Sequence, residues 1–235
     1  MLTKDRLIVA LDVSSAAQAQ RLVQTIGDAA TTYKVGKQLF TAEGPQVVRD
    51  LIASGRKVFL DLKFHDIPTP VAGAVRSACE LGVSMLTVHG SGGSKMLKAA
   101  VEAASQSSAK PLVLAVTVLT SFADADLQEI GVSGTALSQV LRLGALARNA
   151  GCGGLVASAK EAKELRRELG EDFAIVTPGV RPAAAAAGDQ ARVVTPADAI
   201  AAGSTYLVVG RPILDAPDPA KAAAAILSEI EVVAV

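Results

Sequence analysis

Short runs rich in valine, isoleucine and leucine alternate with longer amphipathic stretches from one end of the chain to the other. The runs are LIVALDV (7–13), TYKVGK (32–37), KVFLDLK (57–63), SMLTVH (84–89), LVLAVTVL (112–119), GLVAS (154–158), FAIVTP (173–178) and TYLVVG (205–210). Within each, the apolar residues are nearly continuous rather than alternating, the pattern of parallel strands covered by helices. The stretches between them, such as AAQAQRLVQTIG, GPQVVRDLIASG and EAKELRRELG, are amphipathic and predict helices that stop at a glycine. Thr69-Pro70 and Thr195-Pro196 predict helix starts, each with a capping hydroxyl ahead of a proline at the first helical position.

Eight strand–helix units in 235 residues predict an α/β fold, a (β/α)8 TIM barrel, which typically takes about 250 residues. No linker or repeat interrupts the pattern, so residues 1–235 are expected to form a single domain. The competing architecture is an open doubly wound sheet, but no GxGxxG follows the first strand.

Composition narrows the partners. Lys plus Arg and Asp plus Glu both number 23, so there is no basic field, and aromatics are 3% with no tryptophan. Neither backbone attraction nor base stacking on nucleic acid is served by such a surface. Mean hydropathy is positive, yet runs such as PLVLAVTVL (111–119) fall short of the roughly 20 residues of a spanning helix. The start, MLTKDRLIVALDV, lacks a signal-peptide pattern, and Cys79 and Cys152 sit among small apolar residues without metal-like spacing. The expectation is a cytoplasmic protein with buried reduced thiols and no membrane or nucleic-acid partner.

Candidate chemistry lies where polar residues break the strands. Functional groups of barrel enzymes gather at the C-terminal strand ends. Asp12 ends the first run and Lys34 lies within the second. Asp61 and Lys63 end the third, His89 the fourth and Thr117 or Thr120 the fifth, while Arg181 follows the seventh and Arg211 the eighth. In VFLDLKFHDIPTP (58–70), Asp61 and Lys63 are two apart and share a strand face, with Asp66 beyond the strand end. Alone, that couple reads as a structural ion pair. With Lys34 on the neighbouring strand it becomes an alternating Lys/Asp network that keeps every member charged and fixed. In VVGRP (208–212), Gly210 admits close backbone approach and Arg211 offers a fork of donors to a phosphate. Arg181 and Gln190 flank an alanine run, Ala183 to Ala187, that suits a lid. His89 in HGSGG reads as a positioned residue bonded to backbone rather than a base, and with two histidines a His-based metal site is not expected.

These motifs, taken together, resemble the orotidine 5'-phosphate decarboxylase family in its bacterial form. VALDV (9–13), YKVG (33–36), DLKFHDIP (61–68), VTVLTS (116–121), PGVRP (178–182), GDQ (188–190) and VVGRPI (208–213) follow in family order over nearly the whole chain. The D-x-K-x-x-D element is shared with a wider suprafamily, whereas its combination with GDQ and GRPI is specific. The resemblance implies a dimeric (β/α)8 barrel that converts orotidine 5'-phosphate to uridine 5'-phosphate and carbon dioxide without metal or organic cofactor. By motif position, Lys34, Asp61 and Lys63 form the charged array, with Asp66 supplied by the partner subunit in a shared active site. Asp12 and Lys34 hold ribose hydroxyls and Thr120 meets the pyrimidine edge. Arg181, Gln190, Gly210 and Arg211 grip the phosphate, Gln190 also reaching the base. One departure stands out: the family reads D-I-P-x-T, and here Thr69 comes a place early with Pro70 in the threonine position.

The expected chemistry explains the charges. Loss of carbon dioxide from C6 strands an electron pair in the plane of the pyrimidine ring, and a fixed cation beside C6 answers it. Lys63 is the expected cation and proton donor, Asp61 faces the departing carboxylate, and Lys34 with Asp66 keeps Lys63 protonated and aimed. The nearest rival is a sugar-phosphate decarboxylase or aldolase that works through a magnesium-bound enediolate. Such relatives carry an acidic residue at the second-strand position, where Lys34 stands here. A silent phosphate-binding module would have little use for the Lys/Asp array.

Overall fold

The computed structural model describes residues 2–182 and 194–233. All eight expected strands form: β1 Leu7–Ala10, β2 Thr32–Gly36, β3 Lys57–Phe64, β4 Met85–His89, β5 Leu112–Val116, β6 Gly154–Val156, β7 Ala174–Pro178 and β8 Tyr206–Val209. Every neighbour pair is parallel, and β1 pairs with β8 as well as β2, closing the barrel in sequence order. Closure decides against the open sheet. Several strands stop sooner than their apolar runs suggest. Asp12 and Val13 lie past β1, and Thr117 to Leu119 past β5, so these residues are rim loop rather than ladder.

Two apolar layers hold the barrel. Ile8, Phe59, Met85, Leu114, Val176 and Val208 fill its interior. Their strand neighbours, such as Leu60, Leu86 and Val88, point outward into the shell beneath the helices. The near-continuous hydrophobicity of the runs follows from this, because both faces of each strand are buried. The interior is tight enough that a side chain at Gly154 would collide with the Ala174 carbonyl oxygen.

The main covering helices are α1 Ala16–Ile26, α2 Lys37–Glu43, α3 Gln46–Ala53, α4 Pro68–Glu80, α5 Gly93–Ser105, α6 Asp124–Glu129 and α7 Ala136–Asn149. They continue with α8 Ala159–Leu169, α9 Pro196–Ala201, α10 Arg211–Leu214 and α11 Pro219–Glu231. The predicted glycine stops hold: Gly27 and Gly170 end α1 and α8 at φ of 58° and 77°, a region open chiefly to glycine. Thr195 caps α9, accepting from the Asp198 N–H at 3.1 Å. Thr69 does not cap α4. That helix starts one residue earlier, at Pro68 with Ile67 as its N-cap, and Thr69 lies in its first turn. Pro70 is tolerated there because first-turn N–H groups have no intrahelical acceptor. Among the described residues, no helix is long and apolar enough to cross a membrane.

Candidate active site

The C-terminal mouth of the barrel opens into a cavity of about 380 Å³. Phe59, Val176 and Val208 contribute its apolar floor. Asp12, Lys34, Asp61 and Lys63 line it from the first three strands, and Arg181, Gly210 and Arg211 from the ends of β7 and β8. Thr120 joins from the loop after β5. Thr117, the alternative on that strand end, is buried and donates its hydroxyl to the Val156 carbonyl at 2.9 Å. Eight of the predicted site residues therefore converge on one cavity. Gln190 and the run Ala183 to Ala187 lie outside the described residues.

Four charged side chains alternate in sign across the cavity. Lys34 Nζ lies 2.9 Å from Asp12 Oδ1 and 3.9 Å from Asp61 Oδ2. Lys63 Nζ donates to both Asp61 oxygens at 2.8 Å. Each member has a neighbour of opposite sign, which offsets the cost that an isolated charge would carry in a half-buried place. Gly36 makes the arrangement fit: a Cβ there would sit 3.0 Å from Lys34 Nζ and 3.6 Å from Asp12 Oδ1. Asp66 is not part of this array within the chain. Its exposed carboxylate accepts from the Ile67 N–H at 2.6 Å, and the array's fourth member is Asp12.

Lys63 reaches its position by an unusual route. Its φ is 54°, one of two positive values among described non-glycine residues. A lysine held there costs roughly 1–2 kcal/mol of backbone energy. The β3–β4 register shows why it is held. Leu60 pairs with Leu86, but the next pair is Phe64 with Val88, so β3 spends four residues where β4 spends two. An excess of one residue would turn the following side chains to the opposite face, while an excess of two preserves the faces. Phe59, Asp61 and Lys63 thus all face the cavity. Leu60, Leu62 and Phe64 face an outer groove beside α3 and α4.

Thr87 fills the gap this leaves. It is fully buried on β4, its hydroxyl accepts the Lys63 N–H at 2.9 Å, and it donates to Asp61 Oδ1 at 3.0 Å. Sequence reading missed both Thr87 and Gly36. Thr87 is visible beforehand only as a polar residue inside SMLTVH, and Gly36 only as the residue two after Lys34.

His89 was expected to bond backbone. Its Nδ1 instead lies 2.9 Å from Ser91 Oγ, and its ring stacks on His65 with centroids 5.1 Å apart. Burial, then the charges of His65, Lys63 and Lys37, push its pKa below the usual histidine value. A neutral ring, fixed by Ser91 and His65, fits a supporting position. HGSGG forms a short 3₁₀ turn, Gly90–Gly92, before α5.

On the far strands, Gly210 precedes Arg211, the first residue of α10. A Cβ at Gly210 would point toward Ala10 and Asp12 Oδ2, both at 3.5 Å, an ordinary contact distance. The protein's own packing therefore does not demand glycine there. Arg211 is exposed and Arg181 half-buried, and the Arg181 N–H donates to the Val194 carbonyl at 3.2 Å. Both guanidinium-bearing residues line the cavity opposite no carboxylate of their own within ion-pair distance among the described residues.

Fold and cavity together define the class, a (β/α)8-barrel enzyme with its chemistry at the strand C-termini. The model of the orotidine 5'-phosphate decarboxylase / HUMPS family matches residues 5–226, and the chain belongs to that family. It is 52% identical over 225 residues to the orotidine 5'-phosphate decarboxylase of Hydrogenovibrio crunogenus, covering 96% of this chain and 94% of that protein. Identity to the enzyme of the same name from Moorella thermoacetica is 50% over 239 residues, covering 99% and 95%. The crystal structure of orotidine 5'-phosphate decarboxylase from Lactobacillus acidophilus matches with a TM-score of 0.86 at 39% identity, covering 96% of this chain and 99% of that one.

Proposed function

We propose that this protein decarboxylates orotidine 5'-phosphate to uridine 5'-phosphate and carbon dioxide by direct stabilisation and protonation of a C6 carbanion. The observation that carries the reading is the alternating array Asp12–Lys34–Asp61–Lys63 at the cavity wall, with contacts of 2.9, 3.9 and 2.8 Å. The full-length relatives named for this reaction agree with it.

The steps balance without a co-reactant. The C6–carboxylate bond breaks, its electron pair stays on C6, and carbon dioxide leaves. The Lys63 ammonium offsets the developing negative charge and gives its proton to C6, and solvent later reprotonates the amine. Because the ammonium is already fixed by Asp61, little reorganisation is needed as charge develops. Asp61 lies beside the substrate carboxylate, and that repulsion is relieved as neutral carbon dioxide departs. Lys34 and Asp12 bind the ribose hydroxyls, and Thr120 meets the pyrimidine edge. Arg211, Arg181, Gln190 and the backbone at Gly210 hold the phosphate. Gly210 suits this role, since without a side chain its backbone is open to close approach by the phosphate.

Asp66 is assigned to the site of a partner subunit in a homodimer. It is exposed and carries no ion pair among the described residues, and the adjacent Ile67 is 68% exposed, as a surface covered by a partner would be in one subunit alone. One catalytic domain over residues 1–235 and a cytoplasmic location complete the reading, the latter suited to two free buried thiols.

A magnesium-dependent sugar-phosphate reaction is the alternative inside the same suprafamily. Lys34 Nζ and Lys63 Nζ flank Asp61 on both sides. A divalent cation at that carboxylate would meet two ammonium groups, which disfavours it. The test is an ultraviolet assay of orotidine 5'-phosphate loss, with and without a chelator. Turnover indifferent to the chelator is expected. No loss of the nucleotide, or loss that vanishes with chelator, would overturn the proposal.

A further inference from the structure

We infer that Thr87 is a positioning residue for the proposed decarboxylation, its single hydroxyl setting both the backbone of Lys63 and the carboxylate of Asp61. The inference deepens the functional reading above and rests on it.

The register shift between β3 and β4 takes the Lys63 N–H out of the ordinary ladder, because Leu60 pairs with Leu86 and the ladder resumes only at Phe64 and Val88. A backbone donor in a half-buried place needs an acceptor. Thr87, between those two β4 residues, supplies one from its side chain at 2.9 Å. A threonine hydroxyl has one proton and two lone pairs. With the Lys63 N–H on a lone pair, the proton is free to go to Asp61 Oδ1, 3.0 Å away. Asp61 in turn accepts from Lys63 Nζ at 2.8 Å through both oxygens.

Backbone nitrogen, hydroxyl, carboxylate and ammonium thus close a ring that begins and ends on the same lysine. The ring defines where the ammonium sits. Lys63 holds a φ of 54°, which extended strand neighbours would not impose. Thr87 is 0% exposed and outside the cavity lining, so it has no access to a bound nucleotide. Its effect must run through Lys63 and Asp61. Valine keeps the branched shape and lacks the hydroxyl, so it separates filling of the space from the hydrogen bonds.

The test compares Thr87→Val, Thr87→Ser and wild type in one assay, with kcat and KM for orotidine 5'-phosphate measured separately. Thr87→Val is expected to lower kcat about 10- to 100-fold, the scale of a misplaced reacting group. KM should move less than about 3-fold, because the phosphate and ribose contacts lie elsewhere, and only differential transition-state contacts are lost. Thr87→Ser keeps the hydroxyl and should recover kcat to within about 3-fold of wild type. If Thr87→Val fails to fold, Thr87→Cys carries the same comparison, its thiol being a weak donor and acceptor. Wild-type kcat in the variant that lacks a strong hydroxyl, or a serine variant as slow as it, would overturn the inference while leaving the decarboxylase reading intact. A wild-type protein inactive on orotidine 5'-phosphate would take both down.

Discussion

Lys63 is the residue at which backbone strain and charge pairing coincide. An amine held in a left-handed backbone conformation, 2.8 Å from both oxygens of one carboxylate, is an arrangement maintained at a cost. Strain of this kind persists where surrounding structure over-determines it and is frequent at functional sites. Under the proposed role, Lys63→Ala removes the carbanion's counter-charge and its proton source together. kcat should fall by at least about 1000-fold, beyond the loss of one oxyanion donor. The variant should still bind uridine 5'-phosphate, which calorimetry would measure. Arg211→Ala removes the proposed charge-assisted phosphate contact, at a distance from C6. It should raise KM about 10- to 100-fold, with kcat changed less. Steady-state kinetics on both variants separates chemistry from grip, and equal effects on kcat would contradict the division of labour. Asp61, Lys63 and Lys34 were legible in sequence because charges interrupt apolar runs, near the end of β3 and in the middle of β2. Thr87 and Gly36 were not, since a lone threonine or glycine in a strand carries no such contrast.

At the scale of elements, local chemistry and tertiary context divide the result. Glycines at helix ends, the Ser15 cap of α1 and the Thr195 cap of α9 follow from backbone groups that must find partners wherever the helix sits. Thr195→Ala should therefore cost about 1 kcal/mol, the usual value of a lost cap. In a chain of this size that is a fall of roughly 2–4 °C in thermal midpoint. Thr69→Ala makes an informative partner, because Thr69 lies inside α4 and holds no cap bond. Its thermal midpoint should change less than that of Thr195→Ala, as read by differential scanning calorimetry. The two Thr-Pro pairs look alike in sequence. Pro68, two residues ahead of Pro70, takes the first helical position and moves the start upstream. The register shift in β3 is likewise silent in sequence, since VFLDLKF alternates as any regular strand would.

The whole molecule brings together groups that the chain keeps apart. Asp12, Asp61 and Arg211 lie on the first, third and eighth strand–helix units, and meet because β8 closes against β1. Asp66 is left facing outward by the same geometry, and its proposed place in a partner's site makes a prediction about assembly. Lys63→Ala and Asp66→Ala homodimers should each be severely impaired. Mixed under subunit exchange, they should regain about a quarter of wild-type activity, because half the dimers are hybrids and each hybrid holds one intact site. Sedimentation should find a dimer throughout. Activity that stays at the level of the separate variants after demonstrated exchange would place Asp66 outside a shared site.

By itself the sequence determined the eightfold alternation, the helix stops and which strand ends carry charge, because hydrophobic period, glycine conformation and the cost of burying ions act over a few residues. Tertiary structure alone decided that Asp12 rather than Asp66 completes the array within one chain, that β3 carries two extra residues against β4, and that a buried threonine joins Asp61 to the Lys63 backbone. Each of those depends on the register of neighbouring strands in a closed barrel, a relation between residues 20 or more positions apart that no local pattern encodes.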